Sequence, residues 1–324
     1  MKVSVIIPVY NVAPWLDECL DSALDEPGDI EVVCVDDGST DGSGAILDAR
    51  AAKSGGRMRV LHKENGGVSS ARNAALRLAC GDWIMFLDGD DVLAGGWFAL
   101  VSDMARRCPD APVLGFDRTT TLPLKPVVPG KIREMDMTRR LPLVSFVNDM
   151  WQFAYRRSLL KGLEFGPYSH GEDKLFQGEA MLRADRIALC DAVVYCYRPR
   201  PGSAMRSPWG EKGFRDDIEW RFAWMDALKA SGRDLVWLLR YHMGSCFLNY
   251  IPYNALREGD EVLRERLLGI WFDSLERAAK CDFLLPHRIA IVVLHATRSR
   301  LLLKLIRCVL VAGSHFAVIW RRRR

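Results

Sequence analysis

The first ninety residues alternate short apolar runs with helical patterns, and this alternation limits the fold more than any other feature. Residues 3–9 and 30–35 are continuous apolar runs rich in β-branched side chains, as expected for strands buried on both faces. Two further strands are predicted at residues 58–61 and 83–87, with helices between the strands. Strands and helices in this order predict a mostly parallel, doubly wound α/β sheet.

The middle of the chain is less regular. Residues 109–142 are rich in Pro and Thr, which indicates a loop with one or two edge strands. Residues 146–160 are apolar and aromatic without a clean period. A helix over residues 172–183 and a strand over residues 187–194 are predicted after them.

From Phe214 onward the pattern is helical, and the last predicted helix covers residues 286–320. A chain of 324 residues is long enough for about two domains. We therefore predict an α/β domain over residues 1–210, with halves 1–108 and 109–210, followed by a helical C-terminal region over residues 211–324.

Composition places the chain among ordinary globular proteins. Hydrophobic residues make up 49% and charged residues 27%, which excludes a disordered or collagen-like chain. The nine cysteines are odd in number and contain no CxxC pair. They predict reduced thiols in a cytosolic protein rather than a disulfide framework or a zinc site.

Positive charge is concentrated at the C-terminus. Residues 288–324 hold nine Lys or Arg and no Asp or Glu, which leaves 36 basic against 41 acidic residues, a net charge of −5, in the rest. The cations alternate with apolar runs, which favours an amphipathic segment on an anionic membrane surface. A helix packed on the protein and an RNA-binding tail have similar features. We expect a cytoplasmic protein, peripheral on the inner face of the membrane, without a nucleic-acid partner.

Polar residues follow each of the four predicted strands. They are Tyr10-Asn11, Asp36-Asp37, residues 62–67 and residues 88–91. Each cluster alone is typical of a turn, but the carboxyl ends of strands in an open α/β sheet meet at one ligand crevice. The last cluster packs three carboxylates into four residues, and such oxygen ligands suit Mg²⁺ or Mn²⁺. We therefore predict a divalent-metal site there.

Four segments resemble, in order and spacing, the motifs of inverting family 2 glycosyltransferases with the GT-A fold, as found in bacterial surface-polysaccharide synthesis. The segments are Pro8-Val9-Tyr10-Asn11, Val35-Asp36-Asp37-Gly38-Ser39-Thr40-Asp41, Asn65-Gly66-Gly67-Val68-Ser69-Ser70-Ala71-Arg72-Asn73 and Phe86-Leu87-Asp88-Gly89-Asp90-Asp91. The similarity resumes at Gly171-Glu172-Asp173 and at Tyr195-Cys196-Tyr197-Arg198, and it ends near residue 211.

The resemblance implies a nucleotide-sugar site with a metal ion. Val9 and Tyr10 would lie at the nucleobase, and Asp37 at the base or ribose. Arg72 would lie near the diphosphate, where a guanidinium suits phosphate oxygens. Asp88 would contact the ribose, and Asp90, with Asp88, would hold the ion. The whole implied donor set is Pro8, Val9, Tyr10, Asn11, Asp37, Asn65, Arg72, Asp88 and Gly89.

The resemblance also implies a catalytic base, Asp173, with Glu172 as a supporting residue. An acidic pair in a first helical turn also suits the helix macrodipole, so the residues alone leave a capping role open. His170 is a rival base because it titrates near neutral pH. We expect His170, Trp151, Tyr197 and Arg198 at the acceptor or in a lid over the donor phosphates.

The implied activity is transfer of a hexosyl or N-acetylhexosaminyl group from a nucleotide-diphosphate sugar, with a UDP-sugar expected, to a glycan or lipid-linked acceptor. A nucleotidyltransferase is an alternative, but Tyr10-Asn11-Val12 occupies the place of its phosphate loop. A non-catalytic nucleotide-sugar-binding module is a second alternative. Such a module would be expected to lose the acidic residues 88–91 or the pair Glu172-Asp173, and this sequence has both. No GxGxxG follows the first strand, which disfavours a dinucleotide dehydrogenase.

Overall fold

The computed structural model describes residues 1–138, 150–199, 210–232, 243–281, 283, 285–303 and 305–306. They form two compact units. The first contains residues 1–138 and 150–199, and the second contains the described residues from 210 onward. The predicted features at residues 139–149, 200–209, 233–242 and 307–324, which include Arg321 to Arg324, lie outside the described residues.

The first unit begins with four parallel strands in the order β3-β2-β1-β4. These are β1 (Val3–Val9), β2 (Ile30–Asp36), β3 (Met58–His62) and β4 (Trp83–Phe86), joined by helices α1 (Ala13–Leu24), α2 (Ser43–Lys53) and α3 (Val68–Leu78). All residues of β2 and β4 are buried, which explains why both strands are apolar apart from Glu31 and Asp36 of β2. The predicted α/β fold class is confirmed, and these strand bounds agree with the prediction to within one residue.

The same sheet continues through β8 (Phe153–Arg156), β6 (Val113–Thr119), β9 (Arg186–Cys196) and β5 (Val92–Leu93), while β7 (Ile132–Asp136) pairs with β9. Strand β8 is antiparallel to β4 and β6, and β6 is parallel to β9. Helix α4 (Trp97–Arg107) precedes β6, and α5 (Glu172–Arg183) precedes β9.

The prediction of edge strands in residues 109–142 is wrong for β6, and strand β8 was missed. Strand β6 lies in the interior of the sheet rather than at an edge, because residues 113–116 are buried between β8 and β9. Strand β8 was not predicted, since it has only four residues and follows a short 3₁₀-helix at Met150–Gln152. So short an apolar run carries no measurable period.

The second unit is helical. Its helices are α6 (Gly210–Ala230), a π-helical turn at Cys246–Tyr250, α7 (Ile251–Leu256), α8 (Glu261–Ala278) and α9 (Leu285–Thr297). The single helix predicted over residues 286–320 is wrong, because α9 ends at Thr297 and Arg298 has a φ of 47°. Within the described residues, no helix combines the length and apolar character that crossing a membrane requires.

Candidate active site

The carboxyl end of β1 forms a fixed turn against the loop that follows β2. Asn11 has a φ of 51°, a conformation that Asn tolerates better than most residues. Its side-chain oxygen accepts from the Thr40 N–H at 2.8 Å, and its own N–H donates to Ser39 Oγ at 3.1 Å. Val9 is buried, whereas the Tyr10 side chain is 50% exposed. The turn therefore presents an aromatic ring at the sheet edge where the other motifs end.

Asp37 closes the loop that precedes α3. Its carboxylate accepts from the Gly66 N–H at 3.0 Å and the Gly67 N–H at 2.7 Å, and Lys63 Nζ is a further donor. Asp37 is buried, and Asn65 between these partners is exposed. In this structure Asp37 therefore positions its neighbouring loop, and its contact with a base or ribose stays a prediction.

Arg72 joins the two motifs that the sequence assigns to donor and acceptor. Its side chain on α3 is 3% exposed, and it donates to Asp88 Oδ1 at 2.8 Å and to Glu172 Oε1 at 2.9 Å. The two carboxylates raise the pKa of Arg72 further, although burial opposes them. Glu172 begins α5, so one guanidinium ties the loop after β4 to the start of that helix.

The acidic loop after β4 approaches β1 closely. A Cβ atom at Gly89 would lie 3.0 Å from Val12 Cγ2 and 3.3 Å from the Pro8 carbonyl oxygen, so a side chain there would displace its neighbours. Asp88 is fixed by Arg72, and Asp90 is partly exposed on the same loop. Burial raises the pKa of Asp88, while Arg72 lowers it.

Asp91, the third carboxylate of the loop, is 1% exposed. Its oxygens accept from Tyr195 Oη at 2.5 Å and from the Arg198 N–H at 2.7 Å. Burial raises the pKa of Asp91 to about 8. Crowding of three carboxylates therefore does not by itself require a metal ion here, because Arg72 and the end of β9 provide partners for two of them.

Asp173 lies in the first turn of α5, beside Glu172. Burial, together with the neighbouring Glu172, raises the pKa of Asp173 to about 7, although Lys174 and Arg72 act to lower it. The helix begins after Gly171, which has a φ of 80°, and no side chain caps it. The Glu172 carboxylate pairs with Arg72, so it serves an ion pair here rather than a helix cap.

The residues expected at the acceptor lie on several elements of the first unit. Trp151 stacks on Tyr195, with ring centroids 6.0 Å apart and an interplanar angle of 26°. Its indole N–H is buried and has no hydrogen-bond partner among the described residues. His170 Nδ1 lies 3.3 Å from Ser169 Oγ. Tyr197 and Arg198 follow directly on the end of β9, beside the acidic loop.

Sequence reasoning missed Gln177, and it included Tyr195 in the segment 195–198 without predicting what its hydroxyl does. The role of the Tyr195 hydroxyl could not be predicted, because its partners lie about a hundred positions earlier. Gln177, one turn after Asp173 on α5, is fully buried, and within the described residues neither of its amide atoms has a hydrogen-bond partner. A polar side chain in the buried face of an amphipathic helix was the signal that could have identified it.

The metal prediction can be tested against these side chains. Among the described residues, no group of three or more His, Cys, Asp or Glu side chains is arranged to hold an ion. Mg²⁺, however, is usually held by one or two carboxylates together with substrate phosphates and waters. Asp88 and Asp90 on one partly exposed loop fit that kind of site, and Asp91 does not because both of its oxygens are engaged internally.

Comparisons with known proteins identify a family domain in this chain. The model of the family "Glycosyl transferase family 2" matches residues 4–163. The uncharacterized glycosyltransferase EpsJ of Bacillus subtilis is 36% identical over 220 residues, which cover 64% of this chain and 64% of the relative's length.

Solved structures share the fold. TarS residues 1–349 from S. aureus, solved with UDP-GlcNAc, superposes with a TM-score of 0.75 at 21% identity, covering 97% of this chain and 92% of TarS 1–349. The mannosyltransferase PcManGT of Pyrobaculum calidifontis, solved with GDP-Man and Mn²⁺, has a TM-score of 0.54 at 17% identity and covers 92% and 88%. The GT-A fold is confirmed. Residues 4–163 of this chain are therefore a glycosyl transferase family 2 domain.

Proposed function

We propose that the protein transfers a sugar, with inversion and with a divalent metal ion, from a nucleotide-diphosphate sugar to a glycan or lipid-linked acceptor of surface polysaccharide. The supporting observation is the double contact of Arg72 with Asp88 and Glu172. This contact connects the acidic loop after β4 with the first turn of α5 through one buried cation. An enzyme that transfers a group between two substrates needs its two half-sites adjacent and fixed.

On the donor side, we assign the nucleotide to the edge formed by the ends of β1, β2 and β4. A UDP-sugar is our first choice, because TarS has been solved with UDP-GlcNAc and with UDP. The exposed ring of Tyr10 supports a stacked base. We assign Asn65 to the same ligand, because the next two residues of its loop, Gly66 and Gly67, donate to Asp37. Asp88 and Asp90 would hold Mn²⁺ or Mg²⁺, which when bound stabilises negative charge on the leaving diphosphate.

On the acceptor side, we assign Asp173 as the general base. Its carboxylate takes the proton of an acceptor hydroxyl while that oxygen bonds to the anomeric carbon. The bond between this carbon and the diphosphate oxygen breaks, and the diphosphate leaves with the electron pair, so the configuration inverts. Glu172 keeps Arg72 beside the base, and Trp151 and His170 would contact the acceptor.

A panel of nucleotide sugars, each with Mn²⁺, with Mg²⁺ or with EDTA, tests this function by release of the nucleoside diphosphate. We expect one UDP-sugar to be turned over above all others. Release of inorganic pyrophosphate from a nucleoside triphosphate and a sugar phosphate would instead identify a nucleotidyltransferase. Binding of a donor without any turnover, in the presence of cell-wall glycans, would identify a binding module.

The metal assignment gives a separate prediction for Asp90. We expect Asp90→Ala to abolish turnover and to change the free energy of unfolding by less than about 0.5 kcal/mol, since Asp90 lies on a loop and is partly exposed. Asp110→Ala is the matched control, because Asp110 is an exposed carboxylate in the loop before β6. Full turnover of the wild-type protein in excess EDTA would contradict the assignment.

We also propose that residues 288–324 attach the protein to an anionic membrane surface. Part of this segment packs within the second unit, where Ile291, Leu294 and Leu303 are fully buried. Other apolar side chains of the segment are 51–70% exposed, namely Ile289, Val292, Leu301 and Leu305. Arg298 and Arg300 pair with Asp273 and Glu265, so the remaining cations would provide most of the attraction to lipid.

Flotation with vesicles that contain phosphatidylglycerol tests the membrane proposal. We expect the double variant Ile289→Asp, Val292→Asp to lose most binding, because both side chains are exposed and would enter the interface. Val128→Asp is the control, since Val128 is a 77% exposed apolar residue of the first unit. Deletion of residues 307–324 should reduce the salt-sensitive part of binding. Equal flotation of all four proteins would contradict the proposal.

A further inference from the structure

The carboxyl end of β9 makes an unusual set of hydrogen bonds to the acidic loop. Tyr195 is fully buried, and its hydroxyl both accepts and donates. It accepts from the Asp88 N–H at 3.3 Å and donates to Asp91 Oδ2 at 2.5 Å. A single oxygen atom therefore connects the backbone at one end of the loop with the side chain at the other.

Arg198, three residues later, completes this set. Its N–H donates to Asp91 Oδ1 at 2.7 Å, and its Nε donates to the Asp90 carbonyl oxygen at 3.0 Å. Its guanidinium also reaches Glu18 on α1, at 2.6 Å. The loop is thus held at Asp88, Asp90 and Asp91 by two residues of one strand end, and none of these contacts uses the Asp90 carboxylate.

Hydrogen bonds to the backbone fix where a loop directs its side chains. Asp88 and Asp90 flank Gly89, which brings no side chain of its own to hold the loop in place. Rigidity must come from outside the loop, and the Tyr195 ring is itself fixed by burial and by its stack on Trp151. Phenylalanine could fill the same volume but could neither accept nor donate.

We propose that Tyr195 is a positioning residue of the donor site, which sets the loop of residues 88–91 through its hydroxyl, and that Asp91 serves as its acceptor rather than as a metal ligand. The consequence for donor and metal binding rests on the proposed function. The loop geometry itself does not, so the two can be tested apart. Removal of the hydroxyl should loosen the loop without emptying any space in the core.

Tyr195→Phe is the test variant, and Tyr155→Phe is its matched control. Tyr155 is also fully buried in the same sheet, and its hydroxyl donates to the Met150 carbonyl at 3.2 Å, away from the acidic loop. Asp91→Leu, which has a similar size but no polar atom, removes the acceptor from the other side and serves if Tyr195→Phe does not fold. The first measurement is amide hydrogen exchange of the peptide that contains residues 87–92, without ligand.

We expect Tyr195→Phe to speed exchange of this peptide about tenfold, as for the loss of one hydrogen bond. Asp91→Leu should speed it at least as much, and Tyr155→Phe should leave it unchanged. The second measurement is binding of Mn²⁺ in the presence of UDP, followed by electron paramagnetic resonance. We expect the Kd for Mn²⁺ to rise roughly tenfold in Tyr195→Phe and to stay unchanged in Tyr155→Phe. Exchange equal to that of the wild type would overturn the proposal. If the wild type binds neither Mn²⁺ nor UDP, the proposed function fails, and the exchange measurement still decides the role of Tyr195.

Discussion

Replacing Asp173 by Asn is expected to lower turnover by a factor on the order of 10²–10⁴ while the affinity for the donor stays nearly unchanged. Asn keeps the size and polarity of the side chain but does not accept a proton. Donor contacts are assigned to the loops after β1, β2 and β4, and Asp173 lies instead in the first turn of α5. Single-turnover kinetics together with calorimetric donor binding separate the two effects.

The pH dependence gives the same assignment a second test. Burial raises the pKa of Asp173 to about 7, and a base acts only when ionised. Wild-type turnover should therefore be present above this pH and fall tenfold per unit as the pH drops below it. The residual activity of Asp173→Asn should lack that acid limb. Near-normal turnover of Asp173→Asn, with loss of activity in His170→Ala or Glu172→Gln, would show that the base has been assigned wrongly.

Arg72→Met is expected to be among the most destabilising single substitutions in the first unit, at about 3–5 kcal/mol. The guanidinium is 3% exposed and has two carboxylate partners, Asp88 and Glu172. Met fills much of the same volume but leaves both acidic groups without their cation. Urea unfolding at pH 7 measures the loss.

Two further variants make this result interpretable. Arg133→Met removes an exposed ion pair with Asp191 and should cost no more than about 1 kcal/mol. Adding Asp88→Asn and Glu172→Gln to Arg72→Met removes the uncompensated charge and should restore part of the lost stability. A cost for Arg72→Met as small as that for Arg133→Met would mean that the ion pairs of Arg72 contribute little.

The sequence predicted those elements whose residues are periodic or continuously apolar. The bounds of β1 and α5 agree with the prediction, because β1 is a continuous apolar run and α5 begins after the turn residue Gly171. The resemblance to glycosyltransferases predicted which loops meet, and the structure brings Arg72, Asp88 and Glu172 together. Their roles in binding and catalysis stay predictions.

What could not be predicted depends on contacts between distant positions. Asp91 reads as one more carboxylate of a metal loop until Tyr195, 104 residues later, is seen to donate to it. The break at Arg298 has no Gly or Pro signal and follows from a positive φ at an arginine. Likewise, nothing local to residues 113–119 indicates that β8 and β9 cover both edges of β6.

The strand order also determines when a newly made chain can become functional. Strand β4 has its partner on one side, β1, within the first ninety residues, but its other partner, β8, begins only at Phe153. A nascent chain of about a hundred residues would therefore expose an apolar strand edge, which is a site of aggregation. Tyr195 and Arg198 are added later still. The first hundred residues thus contain the motifs after β1, β2, β3 and β4. The loop of residues 88–91, which carries Asp88 and Asp90, gains its hydrogen bonds to Tyr195 and Arg198 only when about twice that length has been synthesised.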